Sequence, residues 1–378
     1  MNIVVLAGGL SPERDVSMSS GCMIANTLIE NGHNVLLVDI YMGLPGANSF
    51  MEAYLKYKKG IYEYIIPERE PDLNAIMAAR AALSAHSTQP THTTQPAQPT
   101  QPAQPAHSAT GLGGRSEPLV GEGVLAVCAD ADITFNALHG AIGENGQIQA
   151  VFDVFGIKYT GTGYGGSFVA MDKPLAKELM RSHGIPTPDW VVISADDADR
   201  NIIGAIGIPC VIKPCGCGSS IGVSIVHNSD ELAAALKYAF KYEKRIMVEK
   251  LITGREFSIG VLGGASLPPI EIIPNEGFFD YKNKYQPGAT IEVCPPVGLS
   301  HEKEKEMRCA ALKVHNILRL GDYSRLDAIL SETGELFYLE TNTLPGMTPT
   351  SLLPKEAAAA GITYSQLCEH IINLAING

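Results

Sequence analysis

No apolar run in this chain of 378 residues reaches the ~18–20 residues that a membrane-crossing helix requires, so no membrane partner is expected. Positive charge is scarce. The 28 Lys and Arg stand against 40 Asp and Glu, a formal net charge of -12, which argues against a general nucleic-acid binder or a partner for anionic lipid. That balance leaves room for local basic sites that hold phosphate. The eight Cys have no metal-finger spacing, and Cys215 and Cys217 form neither a redox CxxC pair nor a zinc knuckle. Reduced thiols in a cytoplasmic protein are therefore expected. The opening Met-Asn-Ile-Val-Val-Leu-Ala-Gly-Gly has no basic n-region and enters a strand at once, unlike a signal peptide. No Gly-Lys-Ser/Thr follows the glycines near Cys215, which excludes a Walker A loop there. What is present is a 45% hydrophobic chain, long enough for roughly two or three globular domains.

Ile3 to Ala7 is a continuous apolar run ending in Gly8-Gly9, the pattern of a buried parallel strand. A helix is predicted over Ser17–Asn31, closed by Gly32, and a strand over Val35–Ile40. This β-loop-α-β order predicts a doubly wound α/β domain with ligands at the carboxyl ends of its strands. From about 84 to 117 the sequence turns to Thr-Gln-Pro-Ala-Gln-Pro repeats with almost no large apolar residue. Such a tract cannot offset its ordering entropy by burial, so disorder is expected, as an insertion within the first domain. Its His86, His92 and His107 are irregularly spaced and lack companion carboxylates, which argues against a metal site. Strand-like sequence resumes at Val124–Val127 and Ile133–Leu138. Further on, helices are predicted over Lys173–His183, Asp230–Tyr242 (with Asp230 near the cap) and Glu302–Leu318, and strands over Cys210–Lys213, Ile246–Glu249 and Phe257–Leu262.

Near the C-terminus, Ser324–Leu330 and Glu335–Asn342 read as a hairpin whose turn contains Gly334. Side chains two apart on a strand share a face, so Arg325 projects with Asp327, and Glu340 with Asn342. Asp, Glu and Asn oxygens beside one Arg suit a hard cation such as Mg²⁺, which shares its shell with phosphate oxygens. A solvated acidic edge is the alternative. Lys213-Pro-Cys-Gly-Cys-Gly-Ser-Ser220 is a strand running into a Gly/Ser loop, where backbone N–H groups and hydroxyls can wrap phosphate, or which is an ordinary flexible loop. Glu249 and Lys250, at a strand end, suit an adenine edge, and Glu256 suits a ribose; a surface charge cluster is the plain reading. A carboxylate in Ser11–Ser17 could hold a substrate ammonium, or Asp15 or Ser17 could simply cap the helix.

In family order the chain carries Ala7–Ser17, Leu138-His-Gly-Ala-Ile-Gly-Glu-Asn-Gly146, Tyr159-Thr-Gly-Thr-Gly163, Ala170-Met-Asp-Lys173, Lys213-Pro with Gly-Ser-Ser, Asp280-Tyr-Lys-Asn-Lys-Tyr285, Arg325-Leu-Asp327 and Glu340-Thr-Asn-Thr-Leu-Pro-Gly-Met-Thr348. Together these resemble the D-alanine–D-alanine ligases of the ATP-grasp superfamily, across the whole chain except the Gln/Pro/Thr tract. The resemblance implies an N-terminal doubly wound domain (1–162), followed by an ATP-grasp fold of two subdomains, 163–252 and 253–378. It implies that Lys173, Lys213 and Ser220 hold ATP phosphates, that Glu249, Lys250, Ile252 and Glu256 contact adenosine, and that Phe278 packs on the base. Asp327, Glu340 and Asn342 resemble ligands of two Mg²⁺ or Mn²⁺ ions. Arg325 and the Gly346 N–H resemble donors to a tetrahedral intermediate. Glu13, Ser219 and Tyr285 resemble a hydrogen-bonded trio linking the first substrate's ammonium to a lid spanning 280–289, in which Lys284 resembles a substrate-binding residue. His139 resembles the residue near the first carboxylate, and Ser351 with the Leu352 N–H the clamp for the second.

The implied activity joins two D-alanines through an acylphosphate, releasing ADP and phosphate, for cell-wall precursor synthesis by a cytoplasmic homodimer. Relatives that join D-alanine to D-serine or D-lactate are the alternative, and the lid's Lys284-Tyr285 matches the dipeptide-forming type. A non-catalytic nucleotide-binding homologue is a further alternative, against which the intact lysines, Arg325 and metal positions speak. Cys215 and Cys217 depart from the polar residues common in the phosphate loop.

Overall fold

The computed structural model describes residues 1–67, 69, 71–87, 117–195, 204–218, 220–274 and 290–378. The insertion lies almost wholly outside these, as do Ser219, Phe278, Lys284 and Tyr285.

The apolar run at the start forms β1 (Asn2–Ala7), flanked in parallel by β2 (Asn34–Asp39) and β3 (Ile133–Asn136) in the order β2-β1-β3. Period-2 alternation sends Ile3 and Val5 into one core and Val4 and Leu6 into another, so β1 is covered on both faces. The first crossover helix α1 runs over Arg14–Glu30, beginning earlier than Ser17. Asp15 and Ser17 therefore sit inside it rather than capping it. The Ser17 hydroxyl instead accepts the Gly8 N–H at 2.9 Å and donates to the Ala137 carbonyl at 2.7 Å, tying together the carboxyl ends of β1 and β3.

Helices α2 (Phe50–Tyr57), α3 (Leu73–Ser87), α4 (Val124–Asp130), α5 (Ala141–Glu144) and α6 (Gln147–Phe155) complete this unit. Val124–Val127, expected as a strand, instead forms the first turn of α4. Val124, Val127 and Cys128 are its buried residues, at helical i, i+3, i+4 spacing.

Helices α7 (Tyr164–Met171) and α8 (Lys173–Ser182) follow; Asp172 caps α8 by accepting the Leu175 N–H. Ala170, Ala176 and Met180 share a core with Phe257, Leu326 and Tyr338, far along the chain. Between them lies a four-stranded antiparallel sheet in the order β4-β7-β5-β6: β4 (Trp190–Ser194), β5 (Cys210–Pro214), β6 (Ser224–Val226) and β7 (Arg245–Lys250). Its helix α9 (Ser229–Ala239) is capped by Asn228, which accepts the N–H groups of Asp230 and Glu231, so Asp230 lies in the first turn.

The last sheet comprises β8 (Gly254–Leu262), β9 (Ala265–Ser266), β10 (Ile270–Pro274), β11 (Thr290–Val293), β12 (Tyr323–Ser331) and β13 (Leu336–Asn342). Its order is β11-β10-β8-β12-β13, with β9 on β8. Helix α10 (His301–Ile317) packs on it, and α11 (Leu352–Ala359) crosses β8. Helix α12 (Tyr364–Asn377) buries Leu367, Cys368, Ile371 and Ile372 in the core shared with Ile24 and Leu28 of α1. This contact sets the carboxyl ends of the first sheet against the hairpin β12-β13.

Candidate active site

The hairpin forms as its alternation requires, with Arg325 opposite Asn342 and Asp327 opposite Glu340. A bulge then makes Ala328 face Tyr338, so Leu339 is the extra residue. The Arg325 guanidinium donates Nε and Nη2 to both oxygens of Asp327 at 2.8 and 2.8 Å, and Asn342 Nδ2 donates to Asp327 Oδ2 at 3.0 Å. That leaves the Asn342 amide oxygen available to another partner. Burial works against Arg325's charge, but Asp327 outweighs it and holds the pKa above the ordinary value.

Lys173, the first residue of α8, donates to the Cys217 carbonyl at 2.6 Å and stands 3.4 Å from Glu340 Oε2. Burial opposes its charge too, and Glu340 again more than compensates. The glycine-rich loop is anchored by the Gly216 N–H, which donates to Glu243 at 2.7 Å; Ser220 adopts a left-handed φ of 58°. Glu249 does not lie open as a bare adenine edge. Its carboxylate is 3% exposed, with Oε1 2.9 Å from Lys213 and Oε2 2.6 Å from Lys177.

A cleft of about 1030 Å³ opens between the second and third sheets. Lys173, Lys213, Ser220, Glu249, Lys250, Ile252 and Glu256 line it, together with Asp327 and Glu340. A smaller cleft of about 490 Å³ adjoins the hairpin from the side of the first domain, lined by Glu13, His139, Arg325, Asn342, Gly346, Ser351 and Leu352. The structure thus brings every expected site residue that it describes into one of two spaces sharing the hairpin.

Local backbone explains several of these placements. Glu13 is the N-cap residue of α1, and two glycines make room for its carboxylate. A Cβ at Gly140 (φ +80°) would lie 2.1 Å from one oxygen, and a Cβ at Gly218 2.6 Å from the other. Burial drives the His139 imidazole down to about 4, so it is neutral at physiological pH. Ser351 precedes α11; its hydroxyl accepts the Thr348 N–H at 3.2 Å, leaving the first N–H groups of the helix toward the cleft.

Three side chains here escaped the sequence reading. Glu144, which accepts the Gly140 N–H at 2.7 Å, lines the smaller cleft; burial and then Glu13 push it up to about 8. Lys177 supports Glu249 from behind. Glu356, on α11, is completely buried over the sheet face that carries Arg325 and Asp327. Lys177 had a sequence signal, one helical turn beyond Lys173 on the same face, and Glu144 lies within the Leu138–Gly146 motif, whereas Glu356 had none.

As a place for a hard cation, the hairpin offers two carboxylates and an amide oxygen. Among the described residues no three His, Cys, Asp or Glu side chains gather closely enough to hold a metal unaided. This donor set fits an ion that completes its shell with phosphate oxygens.

Known proteins match this arrangement along the entire chain. The family model "D-ala D-ala ligase N-terminus" matches residues 2–162, and "D-ala D-ala ligase C-terminus" matches residues 179–373. A D-alanine–D-alanine ligase of Pediococcus pentosaceus is 39% identical over 377 residues, covering 98% of this chain and 97% of the relative. The crystal structure of the Bacillus anthracis D-alanine–D-alanine ligase complexed with ATP superposes with a TM-score of 0.68 at 27% identity, covering 99% of this chain and 97% of that one. The VanG D-Ala:D-Ser ligase of Enterococcus faecalis also gives 0.68, at 26% identity, covering 99% and 98%. The parallel first sheet followed by two antiparallel ones is the doubly wound domain and ATP-grasp fold that the motifs imply. With both family models and a near-full-length relative in agreement, the chain belongs to the D-alanine–D-alanine ligase family.

Proposed function

We propose that this protein joins two D-alanines with ATP, releasing ADP and phosphate, to supply a dipeptide for peptidoglycan precursors in the cytoplasm. One observation carries the reading: a single hairpin faces both clefts. Asp327 and Glu340 face the larger one, while Arg325 and Asn342 face the smaller, so a nucleotide and two small amino acids can meet across it.

The larger cleft takes ATP, with Lys173 and Lys213 on its phosphates, Lys250, Ile252 and Glu256 about the nucleoside, and Phe278 on the base. Asp327, Glu340 and Asn342 would hold two Mg²⁺ or Mn²⁺ ions, which when bound neutralise charge between the γ-phosphate and an incoming carboxylate. The first D-alanine places its ammonium at Glu13 and its carboxylate near His139. That carboxylate attacks the γ-phosphate, giving an acylphosphate and ADP. The second D-alanine, its carboxylate on Ser351 and the Leu352 N–H, attacks the acyl carbon through its amine. Arg325 and the Gly346 N–H stabilise the resulting oxyanion, and phosphate departs. Ser219 and Tyr285 would join Glu13 in linking the first substrate's ammonium to a lid that excludes water, and Lys284 would bind substrate. The three units divide at about residues 162 and 252. Two copies associate, and exposed apolar side chains on α6 (Val154 84%, Phe155 61%) and α7 (Tyr164 59%, Phe168 58%) are candidates for the contact.

A product assay with ATP, Mg²⁺ and D-alanine, alone and with D-serine or D-lactate competing, tests this reading. D-alanyl-D-alanine should dominate. A mainly serine-containing or depsipeptide product would overturn the second-site assignment, and no phosphate release would favour a nucleotide-binding homologue without catalysis.

A further inference from the structure

Lys177 lines neither cleft, yet it is one of the most deeply placed charges in the molecule, its side chain 1% exposed. A buried ammonium is tolerated only when it is paired. Lys177 contacts Glu249 Oε2 at 2.6 Å, donates to the Thr187 hydroxyl, and lies 5.3 Å from the centre of the Trp190 ring. The same carboxylate gives its other oxygen to Lys213 at 2.9 Å, and Lys213 does line the larger cleft. The result is a buried row of cation, anion, cation, anchored at one end in α8 and open to the nucleotide cleft at the other.

We infer that Lys177 is a positioning residue for ATP binding, holding one oxygen of Glu249 so that Lys213 is tethered by a single bond and keeps its remaining donors for phosphate. This rests on the larger cleft being the ATP site. The charge count explains why two lysines are needed. One carboxylate facing one lysine forms a neutral pair, and both its oxygens can close on that ammonium. A second lysine leaves the row with a net positive charge, and of its two cations it is Lys213, beside Glu249, that reaches the cleft. An ammonium has three N–H donors, and one contact to Oε1 leaves two. Because Lys173 and Lys177 are four residues apart on α8, one helix aligns both the direct phosphate ligand and the brace behind the other.

Burial, reinforced by Lys213 and Arg181 and only partly offset by Glu249, pulls the Lys177 ammonium down to about 8. Those three are the charged groups facing it, from β5, α8 and β7; the Thr187 hydroxyl and Trp190 ring add no charge. Lys177 is thus charged below pH 8 and loses its proton above it, where Glu249 closes on Lys213 and phosphate binding weakens. Arginine keeps its charge through this range.

The test is the dissociation constant of ATP with Mg²⁺, without D-alanine, from pH 6.5 to 9.5, with adenosine as the probe lacking phosphates. Wild-type affinity for ATP should fall above about pH 8 while adenosine affinity stays level. Lys177→Met should bind ATP about tenfold more weakly at pH 7, the weight of one charge-assisted hydrogen bond. Lys177→Arg should lose the alkaline fall, which a merely structural side chain would not control. If Lys177→Met does not fold, the pH profile of Lys177→Arg still decides. An unchanged alkaline fall in Lys177→Arg, or wild-type ATP affinity in folded Lys177→Met, would overturn the inference alone. Wild-type protein that binds no ATP would overturn the nucleotide reading as well.

Discussion

Replacing Glu356 by methionine should stabilise the protein at neutral pH, although it removes a charge-bearing side chain close to the hairpin β12-β13. Glu356 is 0% exposed, and neither of its oxygens makes a well-formed hydrogen bond to a described residue. Its carboxyl lies over Gly260, whose added Cβ would be 2.3 Å from Oε2, on the strand that pairs Gly260 with Arg325 and Ser258 with Asp327. Burial pushes its pKa from 4.5 up to about 8, more than Ser258 and Arg325 restrain it. The folded protein therefore keeps this proton between those values while the unfolded chain releases it. The contribution of Glu356 to stability is most favourable below about pH 4.5, falls as pH rises toward 8, and levels off above that. At pH 7.5 the penalty spans about three pH units at ~1.4 kcal/mol each, or ~4 kcal/mol. Methionine fills a similar volume without a charge, so Glu356→Met should regain roughly 3 kcal/mol, several degrees in melting temperature. Glu144, also raised to about 8, adds a similar slope, while His139, held near 4, acts in the opposite sense up to about pH 6.5; between about pH 6.5 and 8 the substitution should therefore roughly halve the decline rather than abolish it. Melting by calorimetry or circular dichroism from pH 5 to 8.5 reads both effects. A variant that melts below wild type at pH 7.5, or keeps the full pH slope, would refute the reasoning. Glu356→Gln separates the charge from the packing: its slope should flatten in the same way, with a smaller gain because the buried amide still lacks partners.

Glu340→Ala and Asn342→Ala should each abolish dipeptide formation with the far-ultraviolet spectrum unchanged; product formed at the wild-type rate would remove those residues from the metal set. Gly140→Ala forces a methyl group to within 2.1 Å of Glu13 at a left-handed φ of 80°, at a cost of about 1–3 kcal/mol. Its Michaelis constant for D-alanine should rise while that for ATP holds, and an equal rise in both would contradict the separation of the clefts. Phe155→Asp, on the exposed face of α6, should shift a dimer to monomer in sedimentation; an unaltered dimer would place the interface elsewhere.

The candidate site residues that the structure gathers around the two clefts each lie inside a short motif whose geometry is local. Arg325, Asp327, Glu340 and Asn342 needed only strand alternation and a tight turn to come together, and the register bears this out. The bulge at Leu339 was not legible, since nothing in Phe-Tyr-Leu-Glu distinguishes two residues facing one partner. Val124–Val127 failed for a different reason: a four-residue apolar run fits a strand or a helix equally, and only packing settled it as helix. Buried charge is the hardest feature to read. Lys177 and Glu144 sit on helices where a charged residue ordinarily faces water, and Glu356 follows Pro354-Lys355 at the start of α11 with nothing to mark it. Whether such a residue is solvated or buried depends on partners far along the chain. Glu249 lies 72 residues from Lys177, and the sheet face beneath Glu356 belongs to strands beginning at residues 254 and 323. A motif specifies which groups meet the substrate, whereas the charges behind them are selected by the fold as a whole. The supporting layer should therefore respond to pH and substitution in ways that the motif residues do not reveal.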